Sequence, residues 1–245
     1  LSENLNRPWS LKHLWQGDLA EVLGLPGVAV QLSRSQGDLS YRCAIAFSLG
    51  KAGGNHLSAP STIATKIASQ LPQYQLEVVA DGLLIWRVPA QQMARWLAQF
   101  SPLITLQPGT TNELRDDLFK IQYAHARCCA LLGWAEQLNL ATVSPQFQIT
   151  SPIPWLIAGQ LFCQHPAEFQ LLHQLVTTVD QWPADWLTLG HRLSTAWEEF
   201  FTHCRIFDPT LPRDLVLARL GAIAITRWLL QGCLANLGAA IPQEI

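Results

Sequence analysis

Lys120-Ile121-Gln122-Tyr123-Ala124-His125-Ala126-Arg127 is helical by its spacing, and its reading decides how the second half of the chain is built. On a helix, Leu118, Ile121, His125, Cys128, Leu132 and Ala135 fall on one stripe, while Lys120, Tyr123, Arg127 and Trp134 fall on the opposite side. The first stripe suits a core. The second carries two cations and two aromatic rings, groups on which phosphates and unstacked bases rest. The competing reading is that neighbouring helices cover Tyr123 and Trp134.

The helix has a companion signal downstream, Phe200-Phe201-Thr202-His203-Cys204-Arg205-Ile206, followed by a last helix from Ala218 to Leu237 that ends at Gly238. Together these resemble the DALR anticodon-binding domain of arginyl-tRNA synthetases, whose first long helix carries a Gln-Tyr-Ala-His-Ala-Arg run. The resemblance covers residues 118–245. It implies an all-α bundle that binds tRNA through Lys120, Tyr123, Arg127 and Trp134. Arg219 and Arg227, eight residues apart and within about 80° on the last helix, extend that surface or form the solvated edge of a buried helix.

Composition sets the outer limits. The chain has 245 residues, 49% hydrophobic and 14% charged, a folded protein of one or two domains. Six cysteines without CxxC or scaffold spacing read as reduced, mostly buried thiols, which implies the cytoplasm. After Arg227 at most 16 uncharged residues precede Glu244, broken by Gly232, Gly238 and Pro242. A span needs about 20 apolar residues, so this reads as a core helix and no membrane is expected. Residues 1–112 hold 8 Lys+Arg and 6 Asp+Glu, net +2, whereas residues 113–245 hold 8 and 12, net −4. An acidic second half weakens phosphate binding unless its few cations are gathered on one surface.

The first half reads as mixed α+β. Leu11, Leu14, Trp15, Leu19, Val22 and Leu23 make an amphipathic helix ended by Gly24 and Pro26, and Val28 to Leu32 reads as a strand. Gly37-Asp38 turns, Tyr41 to Leu49 is an apolar run of helix length, and Gly50 to Gly54 is a loop. A helix follows with Pro60 in its first turn and Ile63, Ile67 and Leu71 on one face. Leu76–Val79 and Leu83–Val88 are strands around Asp81-Gly82, and Ala90 to Phe100 closes the half as a helix. The order of these pieces over residues 10–99 resembles the N-terminal additional domain of arginyl-tRNA synthetases. The domains expected are therefore residues 1–100, a linker of residues 101–117, and the DALR-like residues 118–245.

In the synthetase a catalytic domain of a few hundred residues separates those two parts. Here 17 residues with Pro102, Pro108 and Gly109 do so, and no HIGH-like or KMSK-like element is present. The resemblance therefore implies a synthetase relative without its enzyme. Departures from the family pattern accompany it: Leu83 and Ile85 stand where the additional domain carries an aromatic and an asparagine that read the D-loop. Pro242-Gln243-Glu244-Ile245 stands where the family has a Pro-x-Arg-Met-like end.

In the second half, Ser144 to Pro154 reads as a loop. His165-Pro166 starts a helix burying Phe169, Leu172, Leu175, Val176 and Val179, which Trp182-Pro183 breaks. A helix from Ala184 to Cys204 buries Leu189, Leu193, Trp197, Phe200 and Phe201, and Asp208-Pro209 with Pro212 turns the chain into the last helix. No catalytic constellation is found. His125, Cys128, Cys129, His203 and Cys204 read as packing residues rather than metal ligands, Lys51-Ala52-Gly53-Gly54 lacks the order of a phosphate loop, and Glu198-Glu199 with Asp116-Asp117 read as solvated charges. Neither cofactor nor metal is expected. The expected partner is tRNA or another structured RNA, or else a synthetase or other protein, on the alternative that the fold survives as a protein-interaction module without tRNA binding.

Overall fold

A computed structural model describes residues 10–25, 27–29, 31–34, 39–52, 59–79, 81–100, 116–145, 147–182 and 185–244. The chain forms two compact units, Leu1–Gln92 and Met93–Ile245. The expected linker of residues 101–117 and the turn at Gly37-Asp38 fall largely or wholly outside the described residues.

The first unit is an antiparallel four-stranded sheet with helices. Helix α1 (Leu11–Leu23) starts where the Ser10 side chain accepts from the His13 N–H at 3.1 Å, and stops at Gly24 with φ 61°. Its buried Leu11, Trp15 and Leu19 face the core. Strands β1 (Gln31–Arg34), β2 (Leu39–Cys43), β3 (Glu77–Val78) and β4 (Leu84–Arg87) order as β1-β2-β4-β3. The strand expected at Val28 to Leu32 begins later, at Gln31. The run Tyr41–Leu49 is not one helix: β2 carries Tyr41 and Cys43 into the core with Arg42 exposed between them, and α2 (Ile45–Ala52) starts only afterwards. Strand-period alternation wins at the start of that run because β4 supplies a hydrogen-bonding partner, Tyr41 opposite Trp86.

Helix α3 (Pro60–Gln70) has its proline at the first turn and buries Ala64 and Ile67. The turn before β4 needs glycine for two reasons, since Gly82 has φ +89° and a Cβ there would lie 2.5 Å from the Pro60 carbonyl carbon. Trp15, Tyr41, Tyr74 and Trp86 pack as a ring cluster, Tyr74 edge-on to Trp86 at 4.7 Å and Tyr41 stacked on it at 5.4 Å. Ile85 is buried in β4, which gives its apolar side chain a packing reason.

Helix α4 (Ala90–Ala98) spans the division between the units. The second unit is a helical bundle of α5 (Phe119–Gln137), α6 (Pro166–Asp180), α7 (Trp186–His203) and α8 (Arg213–Asn236). A short hairpin of β5 (Leu156–Ile157) and β6 (Gln160–Leu161) precedes α6 and was not foreseen beyond the 144–154 loop. Helix α5 packs against α7 and α8, and α6 against the same two. Close approach depends on Gly190 of α7, where a Cβ would lie 2.5 Å from Ile121 Cδ1. Helix α8 is long and apolar enough to cross a bilayer, but 78% of its most apolar window is buried inside the protein.

Candidate nucleic-acid interface

The expected core stripe of α5 is in place: Leu118, Ile121, His125, Cys128, Leu132 and Ala135 are all buried. Two polar side chains inside this core reach the far end of the chain, although the His125 Nε2 stays buried without a partner among the described residues. Gln122 donates to the Ala240 carbonyl at 3.2 Å, and His125 Nδ1 donates to the Pro242 carbonyl at 2.7 Å. Burial above all, against the opposing effect of that hydrogen bond and with help from the Arg227 charge, depresses the His125 pKa to about 4. Cys128 and Cys129 beside it are pushed up by burial and stay protonated. Among the described residues no three His, Cys, Asp or Glu side chains gather as metal ligands would. His203 is exposed and its Nδ1 meets the Glu199 carbonyl at 2.8 Å, apart from His125.

The opposite side of α5 is an open ridge. Phe119 and Tyr123, 48% and 46% exposed, stack one turn apart with centroids at 6.0 Å. Lys120 lies beside them, its Nζ 3.1 Å from Glu198 of α7. Both partners are exposed, so this pair contributes about 0–1 kcal/mol and either charge is free to re-pair. Further along, Trp134 is 45% exposed. Arg127 is half-buried between rings, its guanidinium 5.4 Å from the Trp134 centroid and 5.1 Å from that of Phe201.

These rings open into a groove of about 550 Å³ between α5, the end of α7 and residues 205–209, lined by Arg127, Trp134, Phe201, Arg205 and Phe207 among others. Phe207 meets Trp134 edge-on at 6.3 Å. Phe201 and the Arg205–Phe207 stretch were not singled out as site residues, although the aromatic pair before His-Cys-Arg marked the place. Phe200 is fully buried whereas Phe201 is half-exposed, a difference one residue makes on a helix surface.

Lys120, Tyr123, Arg127 and Trp134 thus share one face. Arg219 and Arg227 do not join it, and the expectation that they line that surface or a solvated edge is corrected: each is 6% exposed. Arg219 donates through Nε to Glu168 Oε1 at 2.7 Å and through Nη1 to the Arg205 carbonyl. Arg227 donates to Gln231 Oε1 at 2.8 Å and lies 5.3 Å from the Phe147 ring. Helix α8 is enclosed by the bundle, where Arg219 meets a carboxylate, whereas Arg227 meets an amide oxygen and a ring and its Nε is buried without a hydrogen-bond partner among the described residues.

Comparison with known proteins places this geometry. The DALR anticodon binding domain model matches residues 121–245, just over half of the chain. An arginine–tRNA ligase of Gloeobacter violaceus is 30% identical over 144 residues, 54% of this chain and 23% of that protein. Arginine–tRNA ligases of Heliobacterium modesticaldum, 26% identical over 136 residues, and Moorella thermoacetica, 28% over 138, each match 52% of this chain. The chain spans less than a quarter of the length of these relatives. No solved structure matches it.

Proposed function

The chain belongs to the DALR anticodon binding domain family, and from that premise we propose that it is a cytoplasmic tRNA-binding protein that performs no aminoacylation itself. The observation that carries the reading is the α5 ridge, where Tyr123, Lys120, Arg127 and Trp134 share one open face. Lys120 contributes a phosphate contact, Tyr123 with Phe119 and Trp134 offer faces to unpaired bases, and Arg127 is a cation held flat by two rings. The resemblance of residues 10–99 to the synthetase additional domain supports a common origin with arginyl-tRNA synthetase. The 17 residues 101–117 between the two resembling parts support the non-catalytic half of the proposal, being too few for a nucleotide-binding domain. Binding of this kind needs no cofactor.

A second reading, a protein-interaction module that has lost tRNA, is favoured by the carboxylates on the same face. Glu198 holds Lys120, Asp208 holds Arg205 at 3.5 Å, and residues 113–245 are net −4. Its partner is a synthetase or another protein that covers Phe119, Tyr123, Trp134 and Leu138.

Labelled total tRNA titrated across a salt series, with the wild type and Tyr123→Ala/Arg127→Ala, separates the two. Affinity that falls linearly in log–log salt and drops by roughly tenfold or more in the double variant supports tRNA on this face. No binding at the lowest salt rejects it, and a stable protein partner recovered without RNA then supports the second reading.

A further inference from the structure

The exposed side of α5 is laid out in two halves. Phe119 and Tyr123 stand near its start, Trp134 and Leu138 at its end, and each is about half exposed. Ala130 lies between the halves, and beside it Gly133 has nothing within 4 Å of where a Cβ would stand. A glycine inside a helix costs about 1 kcal/mol relative to alanine, and no contact within the described fold requires this one. Each half also carries an ion pair built with α7 or the stretch after it. Lys120 meets Glu198 at 3.1 Å beside Phe119 and Tyr123, and Arg205 meets Asp208 at 3.5 Å beside Trp134.

This layout is its own complement. When a second copy of α5 is laid antiparallel with its Trp134 opposite Tyr123, Phe119 and Lys120 fall opposite Gln137 and Leu138 of the copy, and the helices cross at the small Ala130. A twofold axis repeats each contact, as a self-complementary interface requires. The contacts of Lys120 with Glu198, Arg127 with Phe201 and Trp134 with Phe207 set residues 198–208 along one flank of α5 in the same order. The twofold therefore opposes Lys120 and Glu198 of one copy to Asp208 and Arg205 of the other, unlike charge to unlike. A parallel copy would oppose Lys120 to Lys120 and Arg205 to Arg205. Exchange of partners costs little, because Lys120, Glu198 and Arg205 are exposed and such pairs contribute about 0–1 kcal/mol. Three half-exposed rings of about 150–250 Å² each, with Leu138, offer on the order of 400 Å² per copy. The pair then buries on the order of 800 Å², and the four charged side chains bring it to about the 1,000 Å² at which specific association begins.

We infer that the α5 face is the interface for a second copy of this chain, antiparallel about a twofold axis. The pair itself does not depend on the tRNA reading, whereas its consequence rests on it. Lys120, Tyr123, Arg127 and Trp134 are covered in the pair, so RNA and self-association exclude one another. The protein binds RNA as a monomer, and its own concentration withdraws that monomer.

Sedimentation equilibrium of the full chain without RNA, from about 1 to about 200 µM, is expected to show a monomer–dimer equilibrium with Kd on the order of 10 µM, as a small interface gives. Ala130→Lys sets a new cation against Arg127 of the copy and is expected to raise Kd about tenfold or more, with helix content by circular dichroism unchanged because lysine is a good helix former. Cross-linking reads the register. Mild oxidation of a mixture of Lys120→Cys and Leu138→Cys chains should give a disulfide-linked dimer, whereas the wild type and either variant alone should not, since like positions lie about 25 Å or more apart along the antiparallel helices. A chain still monomeric at the highest concentration overturns the inference. So does a dimer that Ala130→Lys leaves intact or that the mixed cysteines fail to link. Total tRNA added to the dimer is expected to convert it to monomer–RNA complexes, and tRNA bound to an intact pair overturns the exclusion. Failure of the monomer to bind tRNA removes the tRNA reading and the exclusion with it, while the pair stands on its own measurements.

Discussion

Replacing Glu168 with alanine should destabilise the helical unit more than any single surface change. Glu168 is fully buried, and one of its carboxylate oxygens accepts the backbone N–H groups of Gln164 at 2.6 Å and His165 at 2.7 Å, which otherwise lack partners at the start of α6. The other oxygen accepts Arg219 Nε at 2.7 Å. Removing the carboxylate strands two donors and leaves the Arg219 cation buried without its counter-charge, a loss of about 3–5 kcal/mol, against a total stability of about 5–15 kcal/mol for a domain. Glu168→Met/Arg219→Met removes both charges together, though the Gln164 and His165 N–H groups stay stranded, and should cost less than the sum of Glu168→Met and Arg219→Met made singly. Urea unfolding of the four proteins at one pH gives the cycle. A Glu168→Ala cost below about 1 kcal/mol, or a double variant as unstable as the sum of the singles, would refute the idea that this pair locks α6 to α8. Because Arg219 also donates to the Arg205 carbonyl, Glu168→Ala should speed hydrogen exchange in residues 205–209, the wall of the groove.

Two further stability predictions follow from α5. His125 is neutral when folded, with its pKa near 4 against an ordinary 6.5, so the unfolded chain takes up this proton first. Its contribution is full above pH about 6.5 and is lost as pH falls toward 4, about 3 kcal/mol in all. Denaturation at pH 7.5 and 4.5 should show that slope in the wild type, shallower in His125→Gln, and identical slopes would count against it. Gly190→Ala places a Cβ 2.5 Å from Ile121 Cδ1 and should cost about 1–3 kcal/mol. Adding Ile121→Val should recover part of this in thermal denaturation, whereas no recovery would locate the cost elsewhere.

The stripe on α5, the helix starting at His165-Pro166, the Gly82 turn and the closing helix were all legible in the chain. Each is set by spacing or by one residue's backbone preference, which act over a turn or two. The β2 to α2 boundary was not, because Tyr41 and Cys43 are apolar enough for a helix face and only pairing with β4 makes them a strand. Of the family-bearing residues, His125 was readable as a core residue and Gln122 was not, and the partners of both, the carbonyls of Pro242 and Ala240, lie well over a hundred positions away.

The sequence by itself determined the two kinds of architecture and the family of residues 121–245, since helical periodicity and a matching run need no knowledge of neighbours, but it left open whether other helices cover the Tyr123 and Trp134 face of α5. Tertiary structure alone decided which cations that face keeps. Arg127 and Arg219 are both arginines on amphipathic helices, but one is laid between Trp134 and Phe201 at a groove and the other is sealed against Glu168. A charge is cheap at a surface and costly in a core unless paired, so its fate depends on which distant carboxylate or ring the fold brings to it.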